Sequence, residues 1–291
     1  MKRRIAYLEV DGKRFGGERS GLNISFDVPY CGSAFIPTNA SFVLTNANRH
    51  DTEQIVTNTS RFIERKRQIK FWAGYEGNVK QIYGGQILRS VPADMPDTNI
   101  NITAQALEKA MGKYIERNWE NPMFIDLIRE AATACDFDLC ISEQVRSSDK
   151  LMKRAGHRYE YSGGAVGYLR EIMTDLGSVI VTNNDGMAFC VANNILYVSF
   201  QSEPYPASIP IINKNTGLIG IPSPTDTGVN LQILMDVTLS PFQTIRLESE
   251  RMPLYNGFYN IINIRHHGTL RGRDWYSDLE CCTVNTNGWA A

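Results

Sequence analysis

The stretch Ile100-Asn-Ile-Thr-Ala-Gln-Ala106 sets apolar residues at every second position, with polar Asn101, Thr103 and Gln105 between them. A period of two is that of a strand with one face in a core and the other in water. Toward the start of the chain, runs of the same kind span Ile5 to Val10, Leu22 to Val28, Ser41 to Leu44, Ile69 to Tyr75 and Val79 to Leu88. Clusters of Gly, Asn, Asp and Pro separate them. Residues 1 to about 108 are therefore predicted to form a barrel or sandwich.

Beyond residue 108 the pattern changes. Asn121 and Pro122 make a helix start, and Phe124, Leu127, Ile128, Ala131 and Cys135 share one helical face as far as Asp136. A short strand, Leu139 to Ser142, precedes a basic loop. A second helix is predicted from Gly164 to Leu176, with Gly177 as its C-terminal turn. Val179-Ile-Val181, the turn Asn183-Asn-Asp-Gly186 and Met187 to Val191 read as a hairpin. Residues 109 to 193 thus form a small α/β domain. Residues 194 to 291 return to strands, over Ile195 to Phe200, Gly217 to Ile221, Leu231 to Asp236, Thr244 to Leu247, Phe258 to Ile264 and Trp275 to Val284. Prolines 204, 206, 210, 222 and 224 punctuate the entrance to that region. The fold class is mainly β with a small α/β insertion.

The two ends of the chain echo one another. Gln68 to Phe71, a glycine turn, Gln81 to Ile87 and Asn99 to Thr103 share a layout with Thr244 to Leu247, Asn256-Gly257, Phe258 to Ile264 and Trp275 to Val284. The correspondence pairs Ile69 and Phe71 with Ile245 and Leu247, and Ile82 and Ile87 with Tyr259 and Ile264. Any two antiparallel meanders give such an echo, so the pattern leaves duplication and coincidence both open.

Composition excludes several functions. Thirty Lys and Arg balance 31 Asp and Glu, so the overall charge carries no nucleic-acid footprint. Hydrophobic content of 43% beside 21% charged residues is too polar for membrane-spanning segments. The basic start at Lys2-Arg-Arg4 is followed by an apolar run broken at Glu9, which is no signal peptide, so synthesis in the cytoplasm is expected. The six cysteines, at 31, 135, 140, 190, 281 and 282, form no CxxC and read as free thiols.

Motifs that carry chemistry are few. Gly163-Gly164-x-x-Gly167 opens a helix that could receive an anion, but no βαβ strand feeds it and no acidic residue follows at dinucleotide spacing. His266 and His267 are adjacent on a strand and point to opposite faces, as do Cys281 and Cys282, so neither pair suits one metal or one disulfide. His50-Asp51 lies in a polar loop without an assignable nucleophile. No enzyme, metal or cofactor is expected. The basic segment with Arg61, Arg65, Lys66 and Arg67 is a solvated strand edge or a contact for an acidic protein partner.

Three passages carry a resemblance. Ile69-Lys-Phe-Trp-Ala-Gly-Tyr-Glu-Gly-Asn-Val-Lys-Gln-Ile-Tyr-Gly-Gly-Gln-Ile87, then Thr216 to Val229 with Leu234 and Leu239, then Gly257 to Gly268 followed by Trp275, occur in one order. That order resembles the central baseplate hub proteins of contractile-tailed phages of the T4-like and Mu-like kind, the late control protein D family. The resemblance implies two related β-barrels flanking the α/β domain. It implies a homotrimer whose six barrels ring a lumen through which DNA passes transiently. The implied partners are the tail tube or a tube-initiator protein, the central spike and other baseplate proteins, and the place is the virion tail baseplate. The chain reads as a short member with no further domain after the second barrel. The alternatives are the hub of a type VI secretion or other contractile injection particle and, from a different class, a cell-wall binding protein or hydrolase built on residues 121 to 191.

Overall fold

The computed structural model describes residues 2–17, 21–31, 39–56, 67–93, 99–106, 112–148, 155–156, 158–180, 187–192, 195–200, 202–204 and 208–284. The first part of the chain forms β1 (Arg4–Val10), β2 (Lys13–Gly16), β3 (Asn23–Cys31), β4 (Asn39–Thr45), helix α1 (Arg49–Ile55), β5 (Gln68–Tyr75), β6 (Asn78–Ala93) and β7 (Asn99–Gln105). The alternation of residues 100 to 106 is realised in β7, where Ile100, Ile102 and Ala104 are buried and the residues between them are not. Asp11 and Gly12 link β1 to β2 with φ of 49° and 84°. Two such residues in succession are what a two-residue hairpin turn of the right twist requires.

The middle of the chain forms β8 (Tyr114–Glu120), α2 (Phe124–Ala134), β9 (Asp138–Ile141), α3 (Glu143–Ser147), β10 (Arg158–Gly164), α4 (Ala165–Ile180), β11 (Met187–Ala192) and β12 (Ile195–Phe200). It holds two small sheets, β10 with β8 and β11-β12-β9, and a core of its own in which Leu127, Ile128, Tyr168 and Ile172 are buried. Three expectations change here. Helix α4 continues over Gly177 to Ile180 instead of stopping at Gly177, so Val179 and Ile180 are helical and no hairpin joins them to Met187. The expected turn at 183 to 186 lies outside the described residues. Strand β11 pairs instead with β12, Met187 opposite Phe200, and β12 pairs in parallel with β9. Ile195 to Phe200 thus belongs to the small sheet and not to the sheet that follows. The first helix also begins later than expected: Met123 is its N-cap, and Asn121 takes a left-handed φ of 51° before it.

The last part forms β13 (Ile211–Asn213), β14 (Leu218–Pro224), β15 (Gly228–Leu234), β16 (Thr244–Glu248), a 3-10 turn (Pro253–Tyr255), β17 (Gly257–Thr269) and β18 (Trp275–Thr283). These strands join those of the first part in one 13-stranded sheet. Its main path is β14-β15-β18-β17-β3-β4-β7-β6-β5-β1-β2, and β16 bridges β13 and β17. Among the described residues the ladders trace an open path, with no closed barrel. The protein is mainly β, with α2, α3 and α4 in the middle of the chain and α1 in the first part.

The path has an internal regularity. From β1 the strands run β1-β5-β6-β7-β4-β3, and from β13 they run β13-β16-β17-β18-β15-β14. Chain order is the same in both runs, apart from the additional β2. The details agree as well. Both β6 and β17 carry a bulge where they meet the next strand, at Leu88 and at Ile262. Just past each bulge a row of residues crosses four strands: Arg89, Thr103, Ser41 and Asp27 in the first run, and Asn263, Glu280, Asn230 and Ser223 in the second. The runs differ at one end, where β1 meets β5 antiparallel but β13 meets β16 in parallel.

Candidate assembly interface

The two runs of strands meet where β3 lies antiparallel to β17, with Asp27 opposite His267 and Ser25 opposite Thr269. Alternation sends Phe26 inward, where it meets the edge of the fully buried Trp275 at a centroid distance of 5.1 Å and an angle of 90°. The guanidinium of Arg4 lies 5.5 Å over the same indole and donates to the carbonyl oxygens of Gly272 at 2.8 Å and Arg273 at 3.0 Å. On the outward face the Arg265 guanidinium donates to both carboxylate oxygens of Asp27, from Nε at 2.6 Å and from Nη2. That pairing holds the Asp27 carboxyl below the usual carboxylate range. Ser25 and Thr269 hydroxyls lie 3.0 Å apart, and the Leu270 amide donates to the Ile24 carbonyl at 2.9 Å. Apolar packing inside and paired charge outside make this junction a continuous part of the sheet.

The adjacent histidines divide between the faces, as their positions on a strand require. His266 is buried with Nδ1 2.8 Å from the Ser277 hydroxyl, and burial pushes its pKa down to about 4. His267 faces outward, with Nε2 3.0 Å from the Asp278 carboxylate. Cys281 and Cys282 are both buried thiols, and burial raises that of Cys281 well above its ordinary value. His50 sits in α1 instead of the expected loop.

Strand β10 runs directly into the glycine-rich start of α4, but it pairs antiparallel with β8 and so builds no βαβ unit. The space the glycines leave is filled from within the chain. The Tyr161 hydroxyl donates to the Gly164 carbonyl at 2.8 Å, and a Cβ on Gly163 or Gly167 would come within 2.7 or 2.6 Å of that oxygen. The glycines therefore serve the packing of a tyrosine.

Of the basic candidates, Arg61, Arg65 and Lys66 lie outside the described residues. Arg67 has its Nε 3.8 Å from the Asp11 carboxylate, and its carbonyl accepts from the Ile87 amide at 2.9 Å. The strand candidates are brought together in two groups. Ile69, Phe71, Ile82 and Ile87 share the core of the first run, and Ile245, Leu247, Tyr259 and Ile264 share that of the second. Asp27, Arg265, Arg4 and Trp275, which knit the runs together, were missed by sequence reasoning. The available signal was the strand echo, which locates the strands but says nothing of which edges join.

No curated protein matches the chain. Solved structures of similar fold include the 43 kDa tail protein of prophage MuSo2 from Shewanella oneidensis, at a TM-score of 0.58 and 10% identity, covering 96% of this chain and 98% of that one. The tail protein from Neisseria meningitidis MC58 matches at a TM-score of 0.58 and 7% identity, covering 96% of each chain. The E. coli c3393 protein, a component of the type VI secretion system, matches at 0.59 and 9%, covering 96% of this chain and 77% of that one. At such identities the likeness is one of fold. The family model for the baseplate hub gp41 matches residues 20–281. Because that match takes in the strands from β3 to β18, the junction of the two runs and the helical block between them, the chain belongs to the baseplate hub gp41 family.

Proposed function

We propose that the protein, a structural component of a phage tail baseplate, acts as a symmetry adaptor and not as an enzyme. In this reading three copies form a ring of six barrel-like units, with the sixfold tail tube on one side and a threefold spike on the other, around a channel for DNA. The observation that carries it is the repeated strand order with its matched bulges at Leu88 and Ile262. Two equivalent units in one chain are what three copies need in order to present six similar positions.

The ladders also support a specific equivalence. Ile69 faces Gly85 and Ile245 faces Tyr259, so Ile69 to Phe71 correspond to Ile245 to Leu247, Gly85 to Tyr259 and Ile87 to Ile261. This lies three places from a pairing of Ile82 with Tyr259 and Ile87 with Ile264. The first unit then covers the strands up to Gln105, and the second begins after Phe200, with β11 and β12 left to the helical block. Arg61, Arg65 and Lys66 join the reading as contacts for an acidic surface of a neighbouring baseplate protein.

A hub of another contractile particle is the second reading, supported by the similar fold of the c3393 protein. The test of the main reading is the native mass of the purified chain, alone and with the tube protein of the same tail. Three-chain rings that bind a sixfold tube support it. Assemblies that cannot be built from trimers, or failure to bind any tube protein, refute it.

A further inference from the structure

We propose that the loop between β16 and β17, residues 249–256 with Leu254 at its tip, is the contact for the threefold partner, a spike protein that offers three apolar sockets. The inference rests on the ring reading and adds to it the face and the residue that meet the spike.

The equivalent hairpins of the two units end differently. In the first, the β5–β6 ladder runs past Phe71–Tyr83 to Tyr75–Asn78 and closes on the exposed residues Glu76 and Gly77. In the second, the β16–β17 ladder stops at Leu247–Gly257, the counterpart of Phe71–Tyr83, and residues 248–256 leave it. A comparable length of chain that makes a polar-tipped hairpin in one unit therefore makes a separate loop in the other. Pro253 helps to enforce this, because it has no N–H to give a ladder and its fixed φ suits the first position of the 3-10 turn it occupies.

The loop is held by its own bonds. The Ser249 amide donates to Asn256 Oδ1 at 2.6 Å, and the Met252 amide donates to the Ser249 hydroxyl at 3.2 Å. The Tyr255 and Asn256 amides donate to the carbonyls of Met252 and Pro253, each at 3.1 Å, and the Tyr259 hydroxyl donates to the Tyr255 carbonyl at 2.8 Å. Yet no residue of the 3-10 turn is buried, and Leu254 is 84% exposed with exposed Pro253 beside it. A single exposed leucine is ordinary. One fixed on a braced turn, with the exposed charges of Glu250 and Arg251 behind it, has the form of an interface anchor with a polar rim, and little ordering is left for binding to cost.

Multiplicity and direction identify the occupant. Three chains display six hairpin ends, three tipped by Glu76 and Gly77 and three by Leu254. A sixfold partner would meet two chemistries at positions it treats alike, whereas a threefold partner needs only one set. The loop also leaves from the start of β17, roughly 23 Å along the strand from Ile264, where β3 begins to pair. Neighbouring units of a ring follow one another across the strands, but a hairpin end points along them. The occupant is thus the axial threefold partner and not a second copy of this chain.

Binding of the full-length chain to the spike and tube proteins of the same tail tests this. Leu254→Asp should weaken spike binding by roughly tenfold or more while native mass, circular dichroism and tube binding stay as in the wild type. Leu254→Met should keep most of the affinity, and Glu76→Ala should change it by no more than about twofold. If the aspartate variant folds poorly, Leu254→Ser reads the same loss. Spike binding that survives both polar substitutions, loss of tube binding or of the trimer in their place, or trimers that bind the tube but no spike would overturn the loop's role and leave the ring standing. A chain that stays monomeric, or assembles in numbers not divisible by three, would overturn the ring and this contact with it.

Discussion

Asp27 and Arg265 lie 238 positions apart in the chain and are joined by two hydrogen bonds across the junction of the two strand runs. The pairing holds the Asp27 carboxyl low, so its contribution is present above about pH 4 and fades as pH falls through the depressed folded value. Both groups are substantially exposed, and water screens them. Asp27→Asn should therefore lower stability at pH 7 by no more than about 1 kcal/mol. In urea unfolding, the difference from wild type should vanish in strong acid. A difference that persists there would mean the pair acts by packing.

His266 titrates in a separate window. Its folded pKa of about 4 lies below the ordinary 6.5, so the neutral ring is favoured in the core and stability drains away as pH falls from 6.5 toward 4. The full loss is on the order of 3 kcal/mol. His266→Gln should flatten this limb of the pH–stability curve and leave the lower limb, which Asp27 controls. An unchanged curve between pH 6.5 and 4 would remove His266 as its cause.

Trp275 should show a graded response. It is fully buried against Phe26, and its indole N–H has no acceptor among the described residues. Trp275→Phe removes that unsatisfied donor and keeps most of the ring, so it should cost less than about 1.5 kcal/mol. Trp275→Ala empties the site and should cost about 3 to 5 kcal/mol. Equal losses in the two variants would show that the indole nitrogen matters more than the packing.

Thiol reactivity should fall into two classes. Cys140 is exposed and should react with an aromatic disulfide reagent at once, whereas Cys135, Cys190, Cys281 and Cys282 are buried and should react on unfolding. Burial raises the thiols of Cys135, to about 11, and of Cys281, which slows them further. Denatured without reductant, the chain should yield all six thiols. A reproducible shortfall of two would indicate a disulfide and an oxidising compartment.

What the sequence made legible was the strands whose burial alternates. Ile100, Ile102 and Ala104 announce β7 because one face is core and the other is water. The antiparallel pair of β8 and β10 was missed because Ile115 is the one buried residue in Tyr114 to Glu120, which leaves no alternation to read. Val179-Ile180 suggested a strand because β-branched residues favour one, yet both lie within α4. The echo between the ends was visible, but its register was not. Matching Ile82 with Tyr259 aligns apolar spacing, whereas Ile82 falls at a register shift in the β5–β6 ladder, and hydrophobic pattern carries no mark of a bulge. The junction lay furthest from view, since nothing local to Asp27 or Arg265 names the other.

The pairing of β3 with β17 also bears on the order in which the molecule can be made. Every strand that flanks β3 within the first run has left the ribosome by residue 105, but the strand that covers its outer edge ends at residue 269. At bacterial rates of synthesis the gap is roughly ten to thirty seconds. Through that interval the nascent chain holds an uncovered strand edge beside the half of the indole pocket that Phe26 supplies. Slow translation or early release would prolong the exposure, and truncated chains ending before Gly257 should be the aggregating species in an overloaded cell.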